Sequence, residues 1–204
     1  MCSDIRTRVE QAEKRRDWGE LASILDDATR DDIATLKPMI PDLIGHHDWI
    51  VRASTVEAIG RSHLDSWANR VKARLHDRNR IVRGYALMAY YDLLGVKALP
   101  LINRLCKSQD VRVRATALAL RYVHTRDPNV FEFLRGILMR KGCNYFHRSV
   151  VLSIFDYYFD RHPPTAVVKL YKDVLSDVPK SSGLAKDIKK VLTGWKARRT
   201  KTVE

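Results

Sequence analysis

Cysteine, glycine, proline and long apolar stretches are all scarce in this sequence of 204 residues. Its cysteines, Cys2, Cys106 and Cys143, are an odd number without metal-site spacing, so we expect free thiols and a reducing cytoplasm. Nine glycines and seven prolines argue against a fibrous or disordered chain. Because the apolar stretches are short and interrupted by charge, we expect no insertion into a membrane. The polar residues 1–16 do not resemble a secretory signal.

Motifs that would carry catalysis are also missing from the sequence. It contains no glycine-rich phosphate loop, no serine or cysteine nucleophile motif and no paired-carboxylate pattern. The triplet His46-His47-Asp48 could suggest metal ligands, but we expect it in a turn in which Asp48 caps a helix. We therefore predict a protein that is not an enzyme and that uses neither a metal nor a cofactor.

The formal net charge of +13 is unevenly distributed along the chain. Residues 1–60 carry 8 Lys+Arg against 12 Asp+Glu, whereas residues 61–204 carry 29 against 12. A basic excess of this size favours an acidic partner, which could be nucleic acid, an anionic membrane surface or an acidic protein. Charge alone does not choose among these three.

A short pattern centred on an arginine occurs four times. The copies are DWIVRASTVEAIG from Asp48, NRIVRGYALMAYY from Asn79, DVRVRATALALRY from Asp110 and NYFHRSVVLSIFD from Asn144. Their arginines are spaced 31, 31 and 34 residues apart, and each follows a helix-capping Asp or Asn by four positions and precedes a small residue. A second amphipathic stretch lies before each copy. The pattern therefore predicts helix pairs with the period of a helical solenoid.

This pattern resembles the HEAT-like repeat in its short bacterial, PBS-lyase-type form. In that repeat the second helix of each pair carries an Asp or Asn, then an arginine followed by a small residue. The match covers residues 30–162, with atypical capping pairs at both ends. The resemblance implies an all-α, right-handed solenoid of about five to six helix pairs. It implies a single domain over residues 1–197 and a basic, disordered tail over residues 198–204.

The resemblance also implies that each repeat arginine pairs with an aspartate of the adjacent repeat. This interpretation explains how an arginine can lie within an apolar helix, because its charge is shared and its stem packs on neighbours. The alternative is a row of arginines that grips phosphate. The residues of the implied ladder are Asp48, Arg52, Asn79, Arg83, Asp110, Arg114, Asn144 and Arg148.

In HEAT-like proteins the second helices line the concave surface, and a rotation of about 100° per residue indicates which side chains face it. These positions are Ile50, Ser54, Glu57, Arg61, Ile81, Tyr85, Met88, Asp92, Arg112, Thr116, Ala119, Val123, Phe146, Val150, Ser153 and Tyr157. These positions contain two arginines and no lysine, which is too little positive charge for a surface that binds a nucleic-acid duplex. A mixed, largely apolar lining is typical of a surface that binds protein. Tyr85, Met88, Phe146 and Tyr157 would be its anchors. The alternative is that some of these side chains pack against neighbouring helices.

Basic residues concentrate elsewhere, on a first helix with its turn and near the C-terminus. Such clusters can bind nucleic acid or an acidic protein, although a basic terminus is more often only solvated. The candidates for nucleic-acid binding are Arg70, Lys72, Arg74, Lys189, Lys190, Lys196, Arg198 and Arg199.

These patterns favour a cytoplasmic, monomeric module that binds an acidic protein. One such function in bacteria is an immunity protein, which neutralises a toxin or effector domain by covering it. The alternative is nucleic-acid binding, including a DNA glycosylase that acts on alkylated bases. The chain has no His-Glu dipeptide, which argues against the di-iron hydroxylases among HEAT-like proteins.

Overall fold

The computed structural model describes residues 4–127, 129–139, 145–159 and 162–200, with the backbone alone at 145–150 and 199–200. Every regular element in these ranges is helical, as the sequence predicts, and they contain no strand. The α-helices are α1 (Ile5–Arg15), α2 (Trp18–Asp27), α3 (Arg30–Thr35), α4 (Ile40–Gly45), α5 (Trp49–Arg61), α6 (Ala68–Ala73), α7 (Arg80–Leu94), α8 (Leu99–Leu105), α9 (Val111–Thr125), α10 (Val130–Met139), α11 (Tyr145–Phe159), α12 (Thr165–Asp177) and α13 (Gly183–Thr200).

Contacts divide the chain into two compact units, residues 1–100 and residues 101–204. The first unit is built around α5, which packs against α2, α4 and α7. Its buried residues include Val51, Val56 and Ile59, and α6 packs against α7 in turn. The short helices α4 and α6 precede the longer helices α5 and α7, respectively, and each packs against the helix that follows it.

In the second unit, α9 packs against α10 and α11, while α13 packs against α11 and α12. Aromatic side chains fill its core, and the buried rings of Tyr171 and Trp195 stack with centroids 5.6 Å apart. Helix α13 continues to Thr200, so residues 198–200, which we assigned to a disordered tail, are helical. The remainder of that predicted tail, 201–204, lies outside the described residues.

Three of the repeat helices begin at the caps that the sequence indicates. The side chains of Asp48 and Asn79 each accept a hydrogen bond at 2.8 Å from the backbone N–H two residues later, and Asp110 does so at 2.9 Å. Each cap satisfies an N–H group that the helix itself leaves without a partner. The fourth predicted cap, Asn144, lies outside the described residues.

Substitution of Asn79 by alanine should lower the free energy of unfolding by about 1 kcal/mol, because the N–H of Ile81 loses its acceptor. Asn79→Asp keeps an acceptor at this position and should stay close to the wild type. Urea unfolding measures both values. Asn103→Ala, which removes an exposed asparagine from α8, is the control and should change stability by less than about 0.5 kcal/mol. Equal effects of Asn79→Ala and Asn103→Ala would contradict the capping role.

One helical stretch, Arg80–Leu105, is long and apolar enough to cross a membrane by length and composition, with a mean hydropathy of 1.2 in its best window. The short apolar stretches of the sequence, interrupted by charge, led us to expect no such segment. The stretch comprises α7, a 3-10 turn and α8, and it is interrupted at Gly95, where φ is +52°. Core helices of globular proteins meet the same criterion, and α7 packs closely against α5.

Candidate functional site

Helices α5 and α7 approach each other closely enough to form one continuous surface. A Cβ atom built on Gly60 would lie 2.7 Å from Cα of Ala89, so only glycine fits at this crossing. The two helices are therefore in close contact at this point, and a Cβ on Gly60 would also lie 3.4 Å from Oδ2 of Asp92. We call this surface the α5–α7 face; its predicted members are Ile50, Ser54, Glu57, Arg61, Ile81, Tyr85, Met88 and Asp92.

The α5–α7 face is narrower than the sequence indicates. Ile50 is exposed to 36%. Five other predicted members of the face are half-buried, namely Glu57, Arg61, Tyr85, Met88 and Asp92. Ser54 and Ile81, however, are buried. The helical rotation assumed one covered side, whereas α5 contacts helices on more than one side and buries nine of its thirteen residues.

The corresponding positions of the second unit differ more strongly from the prediction. Arg112 and Thr116 are buried, since α9 packs against both α10 and α11, and neither lies on an open surface. Ser153 is exposed, and Tyr157 is exposed to 46%. The side chain of the predicted anchor Phe146 lies outside the described residues, as does that of Val150.

The charged groups of the α5–α7 face interact largely with one another. Arg61 donates from Nη2 to the carbonyl of Leu25 at 3.0 Å, and its Nη1 lies 3.8 Å from Oε1 of Glu57. Burial raises the pKa of the Glu57 carboxyl above its ordinary value; Arg61 opposes this rise, and Asp26 and Asp92 add to it. The face therefore offers two carboxylates and an engaged arginine beside apolar side chains, which is unsuited to neutralising phosphates.

Arg52 is a structural residue, fully engaged inside the protein and only 3% exposed. Its Nε and Nη2 donate to the two carboxylate oxygens of Asp77, both at 2.8 Å, and its Nη1 donates to the carbonyls of His46 and His47 at 2.7 and 2.9 Å. Burial alone would raise the pKa of Asp77, but the hydrogen bonds from Arg52 and from the Asn79 N–H, together with nearby arginine charges, hold it below its ordinary value. Arg52 thus joins two consecutive turns of the first unit.

The same turn geometry recurs in successive repeats. Six positions before each repeat arginine, a side chain accepts from the N–H of the capping residue: Nδ1 of His46, Oδ1 of Asp77 and Oγ of Ser108. Arg83, like Arg52, donates to the carbonyls six and five positions before it, at 2.7 and 3.3 Å.

The predicted arginine ladder therefore needs a correction. Arg52 pairs with a carboxylate of the next repeat, as the resemblance implies, but this is Asp77 and not a capping residue such as Asn79. Arg114 differs again, because its guanidinium lies 4.3 Å from the ring centre of Phe133. The side chain of Arg148 lies outside the described residues.

A shallow polar cleft of about 410 Å³ opens between the two turns that Arg52 joins. Basic and imidazole side chains line it, among them Arg74, Arg78, His47 and His76. An adjoining cleft of about 370 Å³ shares His47 and Arg78 and adds Trp49. We call the two together the turn cleft. Of the predicted nucleic-acid residues, Arg74 lines it, and Arg70 and Lys72 are exposed on the preceding helix α6.

The C-terminal basic residues do not form a comparable cluster. Lys189, Lys190 and Lys196 are exposed on α13, but the guanidinium of Arg198 pairs with the carboxylate of Asp156. A cleft of about 390 Å³ between α11 and α13 contains that pair and Lys190, and it also contains Asp187. The side chain of Arg199 lies outside the described residues. Positive charge is therefore partly neutralised on this helix.

The triplet His46-His47-Asp48 has a packing role. The ring of His46 packs edge-to-face against that of Trp18, at 4.7 Å between ring centres, and its Nδ1 accepts from the Asp48 N–H at 3.0 Å. The proton of the neutral ring is therefore on Nε2, 3.7 Å from the Glu13 carboxylate. Within the part of the chain that the structure describes, no group of three His, Cys, Asp or Glu side chains could hold a metal ion.

Sequence reasoning missed two features of this region. Asp77 was not singled out by its sequence position, six residues before Arg83. His46 and Ser108 lie at the equivalent positions before Arg52 and Arg114, and their side chains accept the same hydrogen bond. The shared feature is a side-chain acceptor and not a residue type, so an alignment by identity does not find it. The cleft itself depends on which turns lie side by side, which sequence periodicity does not specify.

Comparison with known proteins adds no family assignment, since no family model, curated protein or solved structure matches the chain.

Proposed function

We propose that the chain is a HEAT-like repeat protein, with its helix pairs stacked as a right-handed solenoid, and that it acts as a non-enzymatic module binding another protein. The recurring turn supports the repeat assignment: a capped second helix, a side-chain acceptor six positions before the repeat arginine and that arginine bonded to the turn carbonyls. These contacts use the positions that the sequence repeat aligns.

The α5–α7 face carries the functional proposal. Ile50 is one of few large apolar side chains that the described residues expose, and Tyr85 and Met88 lie half-buried on the adjoining helix. Glu57 and Arg61 belong to the same face and contact each other. Apolar side chains together with a few charged groups are the composition of protein-binding surfaces, where aromatic and methionine side chains provide contact area.

The net charge of +13 favours an acidic partner, because opposite charge accelerates encounter between proteins. A steric inhibitor, such as an immunity protein covering a toxin or effector domain, would need only this surface and no catalytic groups. We therefore include in the proposal that the chain inhibits its partner by covering the partner's active surface.

Substitution of Ile50 by glutamate should weaken partner binding about tenfold or more, because it places a charge on the exposed apolar side chain of the α5–α7 face. The matched control is Val96→Glu, which makes the same change at an apolar side chain exposed to 63% outside the α5–α7 face. Nuclease-treated lysate of the source cell is passed over wild-type, Ile50→Glu and Val96→Glu baits, and the retained protein is then titrated against each by calorimetry.

A protein retained by the wild type and by Val96→Glu, but lost from Ile50→Glu, would support the proposal and identify the partner. Equal retention by all three baits, or loss from both variants, would contradict this face. Circular dichroism should show the same helix content for all three proteins, since both positions are exposed.

A further inference from the structure

We infer that the turn cleft is a second binding site, for the phosphate backbone of a single-stranded nucleic acid. It lies at the turns that precede α5 and α7, whereas the proposed protein surface uses the outward sides of those helices. The inference is therefore independent of the proposed function, and each can fail without the other.

The turn cleft carries an excess of positive charge. One buried carboxylate, Asp77, faces two guanidiniums: Arg52 at 2.8 Å and Arg74 at 3.7 Å. Arg52 is fully engaged, but the Arg74 side chain is one-third exposed, and its Nη1 at 3.7 Å is too far from Asp77 for a hydrogen bond. The buried Nε of Arg74 has no acceptor among the described residues. A single carboxylate cannot neutralise both charges, so the cleft retains positive charge available to an anion.

Arg78 supplies a further positive group at the point where the two parts of the cleft meet. It is exposed, and it donates from Nη2 to the carbonyl of His47 at 2.8 Å, which fixes its position across the turns. The remaining N–H groups of a guanidinium can still donate to phosphate oxygens. His47 and His76 add imidazoles that can donate to the same oxygens.

The adjoining part of the cleft suggests how a nucleotide would be held. Trp49 lines it, half-buried, beside Asn79, the cap of α7. A tryptophan beside cationic groups provides stacking area for a base whose phosphate lies on the cations. Asp48 also lines this part and brings one negative charge, which is already engaged as the cap of α5.

Exposed cations extend from the cleft along the chain that forms one of its walls. Arg70 and Lys72 lie on α6, and Arg80 begins α7. Between residues 70 and 83 there are six Lys+Arg and one acid, Asp77. A flexible strand could follow these cations while one base stacks in the cleft. A duplex keeps its bases paired and cannot offer one to Trp49, so the geometry favours a single strand.

The test is fluorescence anisotropy of a fluorescein-labelled oligothymidylate of about 15 nucleotides with the full chain, titrated at salt between about 50 and 200 mM. We expect affinity to fall with salt, with a logarithmic slope of about −2, as three neutralised phosphates of a single strand would give. The double variant Arg74→Ala with Arg78→Ala should bind at least about tenfold more weakly and with a shallower slope.

The matched control is Lys169→Ala with Lys172→Ala, which removes the same charge from exposed positions on α12 and should bind like the wild type. Because Arg78 also bonds a carbonyl, Lys72→Glu tests the site at an exposed residue and should also weaken binding. Melting temperatures verify the fold of each variant. Equal weakening by the two double variants would show that overall charge is responsible and would overturn the site. Absence of salt-dependent binding, or binding of a duplex as tight as that of the single strand, would overturn it too.

Discussion

Replacing Asp77 by alanine is expected to lower the free energy of unfolding by about 3–5 kcal/mol, the usual cost of leaving a buried charge without its partner. The two carboxylate oxygens of Asp77 each accept from the Arg52 guanidinium at 2.8 Å, and both side chains are almost completely buried. Alanine also removes the acceptor for the Asn79 N–H at 2.8 Å. Urea unfolding followed by circular dichroism measures the loss.

Two comparisons separate the lost ion pair from the lost carboxylate itself. Asp65→Ala removes an exposed carboxylate from the same unit and should change stability by less than about 0.5 kcal/mol. In the double variant Arg52→Met with Asp77→Ala neither charge of the pair remains, so its loss should be smaller than the sum of the two single losses. A loss below about 1 kcal/mol for Asp77→Ala, or simple additivity, would contradict the structural role of the pair.

The ion pair between Arg52 and Asp77 should also make the free energy of unfolding fall as the pH is lowered. The folded state holds the pKa of Asp77 below its ordinary value, so the carboxylate contributes stability above the ordinary value of about 3.9. This contribution is lost as pH falls through the lower pKa of the folded state. The difference in stability between the wild type and Asp77→Asn should therefore be largest near neutral pH and shrink below about pH 4. A constant difference would mean that the charge of Asp77 is unimportant.

The sequence indicates the helices of this fold well because their signals are local. A capping Asp or Asn, an apolar period and a turn lie within a few residues of one another, and the first three predicted caps are confirmed at Asp48, Asn79 and Asp110. The buried position of Arg52 is also understandable from its apolar neighbours. The identity of its partner is not, because Asp77 is 25 residues away and belongs to a turn of varied composition.

The candidate site was harder to predict for a related reason. A helical rotation places residues on a side of their own helix but does not say how many neighbours cover that side. Hydroxyl side chains add to the ambiguity, because a hydroxyl group does not keep a side chain at the surface. Thr55 is buried and donates to the carbonyl of Val51 at 2.7 Å, whereas Thr116 is buried although its Oγ1 has no partner among the described residues. Ser54 and Thr116 were placed on an open face and are buried.

Replacing Gly60 by valine should destabilise the protein by about 3 kcal/mol, at the upper end of the usual cost of overpacking a core. The new Cβ would lie 2.7 Å from Cα and 2.8 Å from Cβ of Ala89, and these atoms cannot move without a shift of α7. Gly60→Ala should also destabilise, although less, because alanine favours the helical conformation by up to about 1 kcal/mol. Urea unfolding of both variants gives the two values.

Gly136→Ala is the matched control for this crossing, since it lies within α10 and a Cβ there meets no atom within 4 Å. It should stabilise the protein by about 0.5–1 kcal/mol through helix propensity alone. If Gly60→Ala stabilised the protein to the same extent, the close approach of α5 and α7 would be refuted. If it destabilised as expected, the shift between the helices would also displace Met88, which neighbours Ala89 on α7, and binding at the proposed surface should weaken with it. Gly60 would then link the packing of the first unit to the surface proposed to bind protein.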